Sequence, residues 1–256
     1  MKVKHLISST VLPLTLMLSA SNGFADSSNF NKTQVADIQK IVHDYIVNNP
    51  SVLVEASQKL RDEMQAKEEK SAMTAITQNT QDLFRNPNSP VVGNPKGSVT
   101  VVEFFDYQCG HCKEMTSILD NLVTSNNQVQ VVFKELPIFG GDSEFAARAS
   151  LASYKIAPAK FFAFHNTLMK ASNPLKNDDV LKLANAAGID ANELKQAMKS
   201  AEVMNEIKAN FALAQKLALA GTPAFIIANT AKSQYKFVPG SMPKEKLDEM
   251  IQQVTS

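Results

Sequence analysis

The sequence predicts an α/β protein in which a sheet is interrupted by a block of helices and preceded by a wholly α-helical region. Three observations predict it. Two β-branched and aromatic runs, Val99-Thr-Val-Val-Glu-Phe-Phe105 and Val129 to Lys134, lie close together in the chain. Strand signals then stop for about 85 residues of helical periodicity and return at Ala224 to Ala228 and Tyr235 to Val238. From Phe30 to Phe84 the pattern is helical throughout, with apolar residues recurring at spacings of three and four.

The chain opens with Lys2 and Lys4, an apolar stretch from Leu6 to Ala20 and the small residues around Gly23-Phe24-Ala25, which reads as a secretory signal peptide over residues 1–25. A retained membrane anchor is the competing reading, but the apolar run is shorter than the ~20 residues a spanning helix needs. No cysteine stands where a lipoprotein would carry one, so an exported, soluble mature chain is expected. With Lys2 and Lys4 removed, 24 basic residues face 25 acidic ones, a net of −1. No basic patch stands out, and nucleic acid is not an expected partner. Of the full 256 residues 44% are hydrophobic, enough for one core and a smaller accessory region.

Residues 26–84 are expected to form a helical oligomerisation region. Asn31 with Gln34 offers a capping box, and Val35, Ile38, Ile41, Val42, Tyr45 and Ile46 form an apolar stripe. Asn49-Pro50 interrupts the run in the manner of a new helix start. The second helix carries Val52, Leu53, Ala56, Leu60 and Met64, then a charged stretch from Arg61 to Lys70, then Met73, Ile76, Thr80 and Leu83. An amphipathic helix must bury its apolar face. The cover is either the chain's own second domain or the same segment of another subunit, and the second option predicts a homodimer.

Residues 85–98, rich in Pro, Gly and Asn, are expected to be a linker, and residues 99–256 the second domain. In it strand Val99 to Phe105 leads into a helix from Cys109 to about Ser125, and strand Val129 to Lys134 follows. Helices are predicted at Ser143 to Lys155, Pro158 to Lys170, Asp178 to Ala187, Asn192 to Met198 and Ala201 to Ala220, an insertion of about 143–220. Gly188 and Gly221 mark helix stops. Phe161, Phe162 and Phe164 read as core, and Pro243 to Val254 closes the chain as a helix.

Both cysteines lie in Cys109-Gly110-His111-Cys112, between a strand and a helix. The same spacing can be half of a zinc site, but no second pair exists and His43 and His165 are isolated, so no metal site is expected. A disulfide closing so small a loop would constrain the unfolded chain little. A reactive dithiol fits better. Cys109, in the first turn of its helix, is expected to be the attacking thiolate, favoured by free backbone N–H groups, the positive helix end and a charged His111. Cys112, one turn inward, would resolve the mixed disulfide. Glu103 lies in a run apolar on both faces, so its carboxyl is expected to be desolvated with a raised pKa. Asp106 is read as a solvated turn residue, and Thr222-Pro223 opens a strand after a helix stop.

A sheet interrupted by helices, with C-x-x-C after the domain's first strand, is the layout of a thioredoxin fold with an insertion. Val102-Glu-Phe-Phe-Asp-Tyr-Gln-Cys-Gly-His-Cys112, Leu136-Pro-Ile-Phe-Gly-Gly141 with Glu144-Phe-Ala-Ala-Arg148, and Gly221-Thr-Pro-Ala-Phe225 resemble the DsbA-like thiol-disulfide oxidoreductases. The resemblance spans about residues 90 to 254, while the N-terminal region looks like the helical oligomerisation extensions of some exported members. It implies that Glu103 sits beneath the cysteines and helps move the proton of Cys112, and that Pro223 is cis. It also implies that Thr222, Pro223 and Gly110 contact an extended substrate. Gly110-His111 resembles protein disulfide isomerases rather than the strongly oxidising type, which carries Pro-His there; Thr222 resembles the dimeric periplasmic isomerases. The resemblance therefore implies a periplasmic oxidoreductase without cofactor, acting on reduced or misoxidised envelope proteins. A DsbB-like membrane oxidase or a DsbD-like reductase would recycle it. A copper- or zinc-handling chaperone using the same thiols is the alternative, and an adhesin or structural envelope protein with a vestigial redox fold a third reading.

Overall fold

The computed structural model describes residues 30–172 and 174–256. The expected signal peptide lies outside them. The chain divides into two compact units at Leu60 and Arg61.

In the first unit α1 (Lys32–Asn48) starts on the expected capping box: the Gln34 N–H donates to Asn31 Oδ1 at 3.0 Å, and the Asn31 N–H to Gln34 Oε1 at 2.9 Å. It ends at Asn49, and α2 (Ser51–Gln78) begins after Pro50. No residue of α1 is buried, and Ile38, Ile41, Val42 and Tyr45, with Leu53, Val54 and Leu60 of α2, are exposed.

The second unit takes in the rest of α2 and α3 (Thr80–Phe84), β1 (Val91–Gly93), β2 (Val99–Phe105), α4 (Gly110–Ser125) and β3 (Val129–Glu135). A helical block follows: α5 (Gly141–Ile156), α6 (Pro158–Lys170), α7 (Asn177–Ala186), α8 (Ala191–Ala197) and α9 (Ala201–Lys216). The chain returns to the sheet as β4 (Ala224–Asn229) and β5 (Gln234–Pro239) and closes with α10 (Lys244–Thr255). The sheet has the order β1-β3-β2-β4-β5. Only β2 and β3 are parallel, in register from Val99 opposite Val129 to Phe105 opposite Glu135, and α4 is the crossover such a pair requires.

All seven residues of β2 are buried, and side-chain alternation divides them between two cores. Val99, Val101 and Phe105 meet Cys112, Met115 and Leu119 of α4 and Phe161, Phe164 and Leu168 of α6. Val102 and Phe104 meet Ile76, Leu83 and Phe84 on the other face. Residues 76–84, read from sequence as part of the oligomerisation region, thus contribute to the core of the second unit. The 85–98 segment also holds more structure than a linker. Val91 pairs with Val132 in a short strand whose own Gly93 and preceding Pro90 gave it the composition of a loop.

A buried ion pair pins the chain between α3 and β1. Lys134 Nζ lies 3.8 Å from Glu206 Oε1 and donates to the Asp82 carbonyl and to Ser89 Oγ, both at 2.7 Å. The Ser89 hydroxyl donates to Glu206 at 2.7 Å, and Asn86 Nδ2 at 2.9 Å.

α9 stops before the predicted Ala220. Ala218 takes a left-handed φ of 53°, and the Leu219 N–H reaches the Ala214 carbonyl at 2.9 Å, a closure usually supplied by glycine. Gly188, at φ 74°, closes α7 in the same way.

Candidate active site

β2 ends at Phe105, and Asp106, Tyr107 and Gln108 carry the chain to Cys109, which stands at the N-cap of α4 rather than inside its first turn. The turn is tight because Asp106 organises it. Its carbonyl accepts from the Cys109 N–H at 3.1 Å. Its carboxylate accepts from the Gln108 N–H at 2.7 Å, the Phe139 N–H at 3.2 Å and the Ser143 hydroxyl at 2.7 Å. Asp106 is only 1% exposed, which corrects its reading as a solvated turn residue. An Asp two residues before the donor it caps is an Asx-turn signal, and that pattern could have found it.

Both cysteines are free thiols, Cys109 5% and Cys112 0% exposed. Cys109 Sγ lies 3.3 Å from the Thr222 carbonyl oxygen, so the chain brings together two segments 113 residues apart. The Thr222–Pro223 bond is cis. Gly110 is the first residue of α4, and a Cβ built there would meet nothing within 4 Å.

The two thiols are driven in opposite directions. The Cys109 pKa is pulled from 9.0 down to about 5, chiefly by the Cys112 thiol hydrogen-bonding to its sulfur. Burial opposes this, and the Thr222 side chain and the N–H groups of Cys112 and His111 add to it. The helix end expected to favour a thiolate is therefore present as specific N–H donors, but the neighbouring thiol contributes more. Burial pushes Cys112 far up, followed by its bond to Cys109 and the charge of Glu103. His111 is exposed, with Nδ1 3.0 Å from Glu114 Oε2.

Glu103 is 1% exposed, and neither carboxyl oxygen has a hydrogen-bond partner among the described residues. Its place in β2 puts it on the same face as Val101 and Phe105, beneath α4. Burial raises its pKa to about 8, with a further contribution from the Cys109 charge. This orphaned buried acid is the polar group that most needs a purpose.

Sequence reasoning missed a polar cluster under the motif. The Tyr107 hydroxyl lies 2.7 Å from Ser150 Oγ, 2.9 Å from His165 Nδ1 and 3.4 Å from Glu135 Oε1. His165 sits among Phe105, Phe133 and Phe161, and burial holds its pKa down to about 3, so it is neutral. Phe161 and Phe164 are core, as expected, while Phe162 is half-buried against it. Also unforeseen were Ile138 and Phe139, exposed apolar residues on the loop that Asp106 ties to the cysteine turn.

No helix among the described residues is long and apolar enough to cross a membrane. The DSBA-like thioredoxin domain matches residues 100–252, and the copper resistance protein ScsC N-terminal domain matches residues 34–67. The thiol:disulfide interchange protein DsbA of Burkholderia cepacia is 27% identical over 183 residues, 68% of this chain and 82% of that protein. A crystal structure of a thioredoxin-like oxidoreductase from Silicibacter pomeroyi DSS-3 is 39% identical and covers 68% of this chain and 96% of its own, with a TM-score of 0.63. The crystal structure of Salmonella enterica Typhimurium BcfH covers 88% of this chain and 97% of its own at 29% identity, with a TM-score of 0.76. The chain, with its thiol pair at the head of α4 and its sheet divided by five helices, belongs to the DSBA-like thioredoxin family of thiol-disulfide oxidoreductases.

Proposed function

We propose that this chain is an exported oxidoreductase that forms and rearranges disulfide bonds in envelope and secreted proteins through Cys109 and Cys112. The observation that carries the reading is the pairing of a solvent-side thiol pulled down to about 5 with an inner thiol pushed far above its ordinary value. That asymmetry supports the division of roles. Cys109 is the attacking and leaving sulfur at neutral pH, and Cys112 resolves.

In the oxidising direction a substrate thiolate attacks Cys109 Sγ of the disulfide, and Cys112 leaves as a thiolate in the interior. Glu103, protonated by burial, gives it a proton. A second substrate thiolate attacks the substrate sulfur and displaces Cys109 as a thiolate, so substrate loses two electrons and the cysteine pair gains them. In isomerisation reduced Cys109 attacks a wrong disulfide and is released when the substrate reshuffles.

Thr222 serves both partners. Its carbonyl accepts the Cys109 S–H only while that thiol is protonated, so ionisation frees the carbonyl for a backbone N–H of an extended client beside Pro223 and Gly110. The exposed Ile138 and Phe139 support engagement of unfolded rather than folded clients. Recycling falls to a DsbB-like membrane oxidase or a DsbD-like reductase. The match of residues 34–67 and the exposed apolar face of α1 support self-association through the N-terminal helices, a dimer being the smallest closed form.

Replacing Cys112 by Ala tests the reading. Mixed disulfides between Cys109 and envelope proteins are expected on non-reducing gels, and their absence would overturn it. The match to a copper resistance protein's N-terminal domain favours one second reading, copper or zinc handling by thiolates. Metal titration that quenches thiol exchange at stoichiometric copper would support that reading instead.

A further inference from the structure

His111 sits at the second position of α4, where the positive end of the helix dipole works against an imidazolium. An exposed histidine there should lose its proton more readily than in a free chain. Its charge is nevertheless what would help a thiolate at Cys109. The conflict is relieved by one side chain. Glu114, three residues on and so on the same helix face, brings Oε2 to 3.0 Å from His111 Nδ1.

We propose that Glu114 is a positioning residue that holds His111 as a cation beside the Cys109 sulfur. This deepens the oxidoreductase reading and rests on it. His111 is raised from 6.5 first by the Glu114 hydrogen bond, then by the Glu114 charge, and to a lesser degree by the Cys109 thiolate. Coupling of this kind is reciprocal: a thiolate that favours the imidazolium is favoured by it to the same extent.

Glu114 is itself an anion and would disfavour a thiolate if it acted directly. It stands five residues beyond the N-cap, about 7.5 Å along the axis at 1.5 Å per residue, close to the Debye length of ~8 Å in physiological salt. Its carboxylate is instead engaged by the imidazole, Oε2 lying 3.0 Å from His111 Nδ1, where its charge acts directly.

The experiment follows two groups separately in the reduced full-length protein: His111 by the NMR shift of its ring proton, and Cys109 by thiolate absorbance. In Glu114→Gln the His111 midpoint should fall and the Cys109 midpoint rise, with alkylation of Cys109 near neutral pH slowing severalfold. Glu114→Asp should restore part of both. In a His111→Ala background, Glu114→Gln should leave the Cys109 midpoint in place or lower it slightly. An unmoved His111 midpoint in Glu114→Gln would overturn the proposal, and so would an equal rise of the Cys109 midpoint with and without His111. A wild-type Cys109 that titrates near 9.0 would instead remove the oxidoreductase reading, while the His111 titration still decides whether Glu114 holds it.

Discussion

At the scale of single residues the site is a set of opposed protonation states. Reduced protein should be alkylated at Cys109 with a midpoint near 5 and hardly at all at Cys112, as peptide mapping after brief labelling would show. Faster labelling of Cys112 would reverse the assigned roles. The same values set a stability trend. Cys109 ionises near 5 when folded and near 9.0 when unfolded, so the reduced form gains stability as pH rises between those values and loses it as pH falls. Glu103 works the other way: its folded pKa, about 8 against 4.5, gives stability that is full below 4.5 and lost as pH rises through 8. Glu103→Gln should therefore stabilise the oxidised protein, in which Cys109 carries no charge and burial alone raises the Glu103 pKa, increasingly as pH rises above 4.5. Denaturant unfolding at several pH values would reveal a flat difference if Glu103 were ionised in the fold. The polar residues were unevenly legible in the sequence. A charged residue inside an apolar strand announces its burial, which is why Glu103 could be read. Asp106 was legible only in part: its Asx-turn to Gln108 is local, but its partners at 139 and 143 come from a segment that only the tertiary fold brings near.

Elements were legible where periodicity and caps agree. The Asn31 box, the α6 start at Pro158 and the stop at Gly188 fell where local chemistry places them. Two features escaped because local sequence does not encode them. A strand as short as Val91–Gly93 exists only through its pairing with β3, and the apolar residues at 76, 83 and 84 cannot say which surface covers them. The covering surface makes a prediction. A chain starting at Arg61 should keep the thermal stability of the second unit, whereas one starting near Asn88 loses Ile76, Leu83 and Phe84 from the core and should be destabilised by several kcal/mol. Ile76→Ala alone should cost about 2–5 kcal/mol in full-length protein. Equal melting of the two truncations would contradict the packing described. Glu206→Ala should cost about 3–5 kcal/mol, since it removes the counter-ion of a buried Lys134 whose pKa burial already draws down to about 8.

For the whole molecule, the redox unit has its own core and the N-terminal helices do not. Sedimentation should find self-associated protein when α1 is present and monomers when the chain starts at Arg61; monomers in both would sink the association. That truncated form should still oxidise reduced peptides, since no residue of the thiol site precedes it. α1 buries none of its own residues. A lone helix of 17 residues is marginal in water, so its folding and its association are one event. Dilution alone should then unwind α1 while the thiol site stays native, so that the local abundance of the protein, rather than any ligand, decides whether its clients meet one redox centre or several.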